Sequence, residues 1–367
     1  MTSRRRWLVV LAGIVVLLAL PAAVAALPAP TAAVSAGTLL ERIQASGDVA
    51  YSGYAESDGG LALPVTSQFS ALADLLGSHT QLRVWWRTAT DWRVDSIGYT
   101  GETDLHMTPQ GWWTWRYEAN SATFSEQTVP PRIRLPDDSD LLPPTLARRL
   151  LSQVRGAEVS SLPARRVAGE NAPGLRVRPD QAASTIDHID VWADNRTGLP
   201  LRISVYGAGS GTPAMTTSFL DVRVAMPAAG TTAFTLPPGA SVASGGAEDL
   251  ATALDQFGPS VLPASLAGIE RNPDLPDLGA IGVYGRGVTE FAAVPLPRRL
   301  ARSLRESLAK VATVGEGADP GRLTIGSGPL NLLLTSFTDP AGTWLLVGTV
   351  TPQTLASAAA ALPERPR

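Results

Sequence analysis

Three histidines, His79, His106 and His188, are the whole imidazole stock of this chain, and no cysteine accompanies them. A zinc or hydrolytic site built on imidazole needs an HExxH run or an i,i+4 pair, and these three are too widely spaced for either. The lack of cysteine removes thiolate metal ligation, a cysteine nucleophile, disulfides and acylation of a lipoprotein cysteine. His188 sits in the alternating run Ile186-Asp187-His188-Ile189-Asp190 and reads as an exposed strand residue. Asp187, Asp190 and Asp194 suggest a carboxylate cluster, but in a strand Asp187 points away from the other two. Asp194 also suits a turn, Asp194-Asn195-Arg196-Thr197-Gly198. Gly209-Ser210-Gly211 lacks the strand–elbow–helix setting of a hydrolase nucleophile. Gly282, Gly285 and Gly287 imitate a dinucleotide loop inside a strand pattern, where glycine marks a bulge or close packing. The expectation is a protein that is not an enzyme and carries no metal or other cofactor.

The chemistry these residues do offer is apolar contact. Six of the nine tryptophans, Trp85, Trp86, Trp92, Trp112, Trp113 and Trp115, fall in two alternating runs between positions 82 and 117. Leu82, Val84 and Trp86 share one side of the first run; Trp113, Trp115 and Tyr117 share one side of the second. An antiparallel sheet built from them has a strongly aromatic face, which a helix, a partner or a lipid-like ligand must cover. The candidate cavity lining is Val84, Trp86, Trp113, Trp115, Tyr117, Val191, Ile203 and Val205. A one-residue change of phase substitutes Trp85 and Trp112. Filling of the same space by the chain's own side chains is the competing reading.

Elements to carry that face are legible along the chain. A short helix begins near Thr38, with Glu41 completing a capping box and Leu39, Leu40 and Ile43 on one side. A strand over 49–56 and an amphipathic helix over 67–77 follow, with Gly77 as its stop. A helix from Pro143 to Gly156 has Leu146, Leu150 and Val154 in line. Strands are expected over 173–179, 185–194, 199–207 and 216–225, the middle two forming a hairpin. Residues 240–280 change to Ser, Gly, Ala, Pro and Asp, with one helix over 247–257. Beyond them lie a strand over 281–296, a helix from Arg298 with Leu300, Leu304, Leu308 and Val311 aligned, two further strands and a last helix capped by Thr351. Arg298, Arg299, Arg302 and Arg305 give one helix a basic side, a solvated face or a contact for anionic headgroups or an acidic segment.

The N-terminus sets the compartment. Arg4, Arg5 and Arg6 precede an apolar run from Trp7 to Leu20 and the small residues Ala23-Val24-Ala25, the pattern of a secretory signal. The same run is long enough for an uncleaved anchor with its N-terminus in the cytoplasm. Either way the body of the protein is expected outside the cytoplasm. A net charge of −3 argues against nucleic acid as a partner. Only Lys310 of the 30 basic residues is lysine, as high-GC coding favours, so arginine counts carry little functional weight.

In their order, these segments resemble the LolA/RseB-type superfamily. Arg87, Trp92, Arg93 and Val94 match its "w-x-r-p-x-x-w-R-v" run, and Gly111, Trp113 or Trp115 and Tyr117 its "G-x-x-x-W-x-Y" hairpin. Val191, Asp194, Thr197, Gly198, Leu199 and Pro200 match the "v-d-x-x-t-g-l-p" hairpin, and Phe234, Pro237, Pro238 and Gly239 the closing "F-x-x-P-x-G". The chain then continues past the length of a single-domain carrier. Tyr284, Gly287, Phe291 and Val294, then Val347, Gly348, Pro352 and Thr354, resemble the C-terminal domain of the RseB/MucB sigma-factor regulators. The resemblance implies an α+β chain: a half-open antiparallel β-barrel with a helical lid, then a small α/β domain. The divisions expected are 1–27 as signal peptide or anchor, 36–242 as half-barrel, 243–279 as linker and 280–367 as C-terminal domain. It also implies a non-catalytic regulator that binds the exported part of an anti-sigma factor and senses a lipid or acylated protein in the half-barrel. The alternative is a lipid or lipoprotein carrier.

Overall fold

A computed structural model describes residues 34–62, 70–98, 101–126, 132–246, 262–275, 278–309, 312–314, 321–336 and 342–362. The expected signal or anchor, the linker helix over 247–257 and Phe69 lie outside them. Among the described residues no helix is long and apolar enough to cross a membrane.

The molecule is α+β, dominated by a twelve-stranded sheet with two free edges rather than a closed barrel. Its strands are β1 (Tyr51–Gly59), β2 (His79–Thr88), β3 (Asp91–Gly98), β4 (Gly101–Thr108), β5 (Gly111–Arg116), β6 (Ser121–Glu126), β7 (Val159–Val167), β8 (Glu170–Val177), β9 (Ile186–Ala193), β10 (Pro200–Gly207), β11 (Met215–Arg223) and β12 (Ser241–Gly246). They lie in the order β12-β6-β5-β4-β3-β2-β1-β11-β10-β9-β8-β7. All pairs are antiparallel except β12 on β6. Hairpins between neighbours in sequence build most of this order, while β1 on β11 and β12 on β6 are pairings of strands far apart in sequence. Two of these strands have no counterpart among the expected elements. β7 carries Pro163 and Arg165 on an edge, where weak strand chemistry is tolerated. β12 is built from Ser, Ala and Gly within what reads as linker.

Helices α1 (Ala36–Ala45), α2 (Ser70–Gly77) and α3 (Pro143–Leu151) cover one face. Leu39, Leu40 and Ile43 of α1 and Ala147 and Leu151 of α3 bury against Leu175, Val177, Ile189, Val191, Ile203 and Val205. The cap of α1 is Ser35, whose Oγ accepts from the Thr38 amide at 3.1 Å, so the helix starts earlier than Thr38 predicts. In α3 the buried stripe is Ala147 and Leu151, with Leu146 and Leu150 on its flank, and the helix ends before Gly156. The β9–β10 turn forms as its residues predict: Asp194 Oδ1 accepts from the Thr197 amide at 2.7 Å. Gly198 is required there. Its φ is +71°, and a Cβ would lie 2.5 Å from the Arg42 carbonyl oxygen of α1.

The second unit is a six-stranded antiparallel sheet: β15 (Gly282–Arg286), β16 (Thr289–Pro295), β17 (Thr313–Val314), β18 (Leu323–Ser327), β19 (Leu330–Leu334) and β20 (Trp344–Gly348). A two-stranded ladder, β13 (Ser265–Leu266) with β14 (Ile269–Glu270), precedes it. The single strand expected over 281–296 is instead the β15–β16 hairpin. Gly287, at φ +61°, begins its turn, and Gly285, at φ +105°, lies in β15 opposite Glu290. Helices α5 (Arg298–Leu308) and α6 (Pro352–Ala360) pack on this sheet through Leu304, Leu308, Leu355 and Ala358. The two units are pinned together by charge and backbone. Arg286 reaches Glu158 at 3.1 Å and Asp180 at 2.8 Å, and Thr185 and Thr351 donate backbone bonds across the junction.

Candidate functional site

Register decides which of the candidate lining residues meet. Trp86 pairs with Trp92, Trp92 with Met107 and Met107 with Trp112. Val84 and Trp86 therefore share the helix-covered face with Val191, Ile203 and Val205, but Trp113 and Trp115 do not. Trp113 follows the row Trp85–Arg93–His106 on the opposite face, and Trp115 follows Arg83–Asp95–Asp104. Tyr117 lies beyond β5 and is 67% exposed. The expected single lining is thus divided between two faces. The cause is the two-residue turn at 109–110, which sets Gly111 opposite Thr108; alternation alone leaves that phase open.

On the helix-covered face Trp86 stacks between Tyr51 (6.1 Å) and Trp92 (5.3 Å), and Phe219 meets Tyr51 edge-on. Leu141 and Leu142 from the turn before α3, and Leu75 of α2, close over this cluster. Three polar groups interrupt it. Tyr51 Oη and Trp86 Nε1 are enclosed without a hydrogen-bond partner among the described residues. Among the described residues the half-buried Arg148 guanidinium reaches only the Ser46 carbonyl, at 3.5 Å. Burial pushes the Tyr51 phenol up and the Arg148 guanidinium down.

On the opposite face the chain supplies its own cover. Residues 226–240 cross it: Arg87 donates to the Pro227 carbonyl, and Thr232 Oγ1 to Asp91 at 2.5 Å. In this segment α4 (Ala229–Thr232) turns Phe234 onto Trp113 (4.8 Å), His106 (5.2 Å) and Trp115 (6.4 Å). Next to these rings is a buried charge cluster. Arg93 donates to Asp95 at 2.6 and 2.9 Å and to Asp104 at 3.1 Å. Asp95, Asp104 and Glu102 place carboxylate oxygens within 4.8 Å of one another. The Arg93 guanidinium seated on two of them does a cation's work, so the cluster reads as a structural ion network. Burial, then the Asp95 charge, raises Asp104 to about 7. Burial lowers His106 to about 4, against its bond to the Thr232 carbonyl at 2.9 Å.

His188 is buried rather than exposed: its ring stacks on Tyr206 at 4.2 Å, and Nδ1 meets Asp187 at 2.5 Å. Asp190 is taken by Arg176 at 2.6 and 2.7 Å. None of these groups forms a nucleophile–base pair.

The third feature was not anticipated from sequence: a cleft of about 580 Å³ where the two units meet. Arg132, Ile133, Arg134, Arg149 and Leu150 line it from the first unit; Asn272, Leu275, Leu278, Val283, Glu290 and Phe291 line it from the second. Arg134 is held by Asp140 at 2.6 and 2.9 Å, whereas the Arg149 side chain is 63% exposed and lies 3.6 Å from the same carboxylate. Burial raises Glu290, against the bond from Asn272 at 2.6 Å. The only sequence signal is the pair of short basic–apolar runs, Arg132-Ile133-Arg134 and Arg148-Arg149-Leu150, more than a dozen residues apart.

No family model and no curated protein matches the chain. Among solved structures it is similar to MucB in complex with MucA(peri), at 18% identity over 90% of this chain and 100% of that one, with a TM-score of 0.48. It is also similar to the MucA/MucB complex of Pseudomonas aeruginosa, at 18% identity over 90% and 99%, TM-score 0.47. A LolA-superfamily protein of Nitrosomonas europaea is similar to 55% of the chain, at 11% identity over 99% of its own length, TM-score 0.22.

Proposed function

We propose that this chain is an extracytoplasmic, non-catalytic binding protein of the RseB type, whose inter-unit cleft holds the exported segment of a membrane-bound anti-sigma factor. The observation that carries this reading is the cleft. It needs both units, mixes apolar side chains with arginines, and suits an amphipathic acidic polypeptide segment. The order of RseB-like motifs along both units and the signal-like N-terminus support the partner and the compartment.

A second reading, a lipid or lipoprotein carrier, is favoured by a separate observation. Arg148, Tyr51 Oη and Trp86 Nε1 leave polar groups unanswered under the helices, where an acylated ligand could place its polar end.

Crosslinking of the full chain in its native membrane, with mass spectrometry of proteins and lipids together, separates the two. The expected outcome is one enriched single-pass membrane protein with a cytoplasmic sigma-binding region. Arg149→Glu is expected to lower its recovery at least about tenfold, a loss of about 1.4 kcal/mol from one reversed charge contact. Stoichiometric lipid or lipoprotein without such a protein overturns the regulator in favour of the carrier.

A further inference from the structure

A groove of about 410 Å³ crosses the sheet face away from the helices, over the middle strands β1, β11 and β10. It is distinct from the inter-unit cleft. Its width is set by register: Arg202 pairs with Ser218 and Ser218 with Glu56. Two strand spacings, about 10 Å, separate the backbones of Arg202 and Glu56, whose side chains wall the groove. The hydroxyls of Ser218 and Thr216 lie between them, Asp58 extends the acidic wall, and Leu220, 53% exposed, and Pro213 add apolar rim.

Of the charges along this groove, Arg202 and Glu56 are poorly spent within the protein, whereas Asp58 meets His79 Nδ1 at 2.7 Å. Arg202 Nε is enclosed without a hydrogen-bond partner, and the half-buried guanidinium forms no ion pair among the described residues. Arg165, whose charge acts on Arg202, is stacked on Trp192 at 4.4 Å. Burial first, then the Arg165 charge, works against the Arg202 cation. Across the groove, among the described residues, Glu56 receives only Gln81, at 3.5 Å. An enclosed N–H left unmet is costly, so the guanidinium gains from an acceptor brought into the groove. A guanidinium presents its donors as a fork suited to phosphate or carboxylate. A simple anion would meet Glu56 and Asp58, and a simple cation would meet Arg202 and Arg165.

We propose that this groove binds a small zwitterion, its anionic group on Arg202 and its primary ammonium on Glu56. Phosphoethanolamine has this chemistry, either free or as a lipid headgroup whose chains leave past Leu220.

Calorimetric titration of the full chain with O-phosphoethanolamine tests the site, with inorganic phosphate and ethanolamine as half-ligands. Saturable binding at least tenfold tighter than either half-ligand is expected. Arg202→Gln and Glu56→Gln should each weaken it tenfold or more with the circular dichroism spectrum unchanged. Co-flotation with phosphatidylethanolamine/phosphatidylcholine vesicles, lost in Arg202→Gln, assigns the headgroup as source; titration without flotation assigns the free zwitterion. Equal affinity for inorganic phosphate overturns the zwitterion. So does binding that survives both substitutions, or no binding by either probe. Because Glu56 is a half-buried surface side chain, its variant keeps the test informative should Arg202→Gln fail to fold.

Discussion

Arg93→Met is expected to lower the unfolding free energy by about 3–5 kcal/mol at pH 8, the range for breaking a buried ion pair on one side. Among the described residues Arg93 is the only guanidinium bonded to both Asp95 and Asp104, and these carboxylates are 1% and 8% exposed. Without it two negative charges face each other in a site walled by Trp85 and Trp115. The loss should shrink toward pH 5, where the freed carboxyls can take up protons instead. The native cluster has its own pH signature. Asp104 titrates near 7 in the folded chain against 3.8 ordinarily. Between those values the folded state keeps a proton that the unfolded state has released, so stability falls as pH rises from about 4 to 7, by up to about 1.4 kcal/mol per pH unit. His106 acts in the opposite sense. Lowered from 6.5 to about 4, it stays neutral while the unfolded chain takes up a proton, so stability falls as pH drops through that interval. Asp104→Asn should therefore flatten the decline toward pH 7 without removing it, because burial also raises Asp138 to about 6. The rise due to His106 should remain. Urea melts from pH 4.5 to 8 measure both slopes; equal losses for Arg93→Met at pH 5 and pH 8 would sink the argument.

That cluster also shows where sequence reasoning stops. Local signals were readable because their physics is local: the Asp194–Gly198 turn, the hairpin periodicity of the tryptophan runs, and the proline-started helix at Pro143. The individual strands and helices follow from such signals, whereas the half-open antiparallel barrel and the small α/β second domain were implied by the resemblance to the LolA/RseB-type superfamily. Phase is not local. Whether Trp86 shares a face with Trp112 or Trp113 depends on how many residues the β4–β5 turn consumes, and a shift of one transfers every side chain across the sheet. The segment 226–240 was hidden for a different reason. Proline, alanine and glycine predict a connection, and only the three-dimensional path shows Phe234 laid on Trp113. Glu56, Arg202, Arg149 and Glu290 were unremarkable as sequence because each matters through a neighbour far along the chain. Elements whose identity rests on one residue, such as the cap of α1 at Ser35 or Thr38, shift when two residues of equal capping strength lie three apart.

Trp86→Ala decides what the helix-covered face is. Its ring lies 6° from parallel with Tyr51 and 3° from parallel with Trp92, and the residue is 8% exposed. Removing a core tryptophan costs about 3–5 kcal/mol, transfer and cavity together. Loss of two ring contacts places the expectation in the upper part of that range. Trp86→Phe should cost far less, because it keeps a stacked ring and deletes an enclosed Nε1–H that has no acceptor. Trp112→Ala, on the same face but half-buried near the sheet's edge, should fall between the two. Chemical denaturation of the three variants gives the order directly. If Trp86→Ala unfolds at the wild-type midpoint, the ring borders open space that a ligand can enter, and the carrier reading gains a cavity. If it loses the full amount, Tyr51, Trp86 and Trp92 are core. An acylated ligand would then have to displace Leu141, Leu142 and the helices above them before it could bind. Such a protein answers lipid by moving its lid, which is the behaviour required of a sensor rather than of a shuttle.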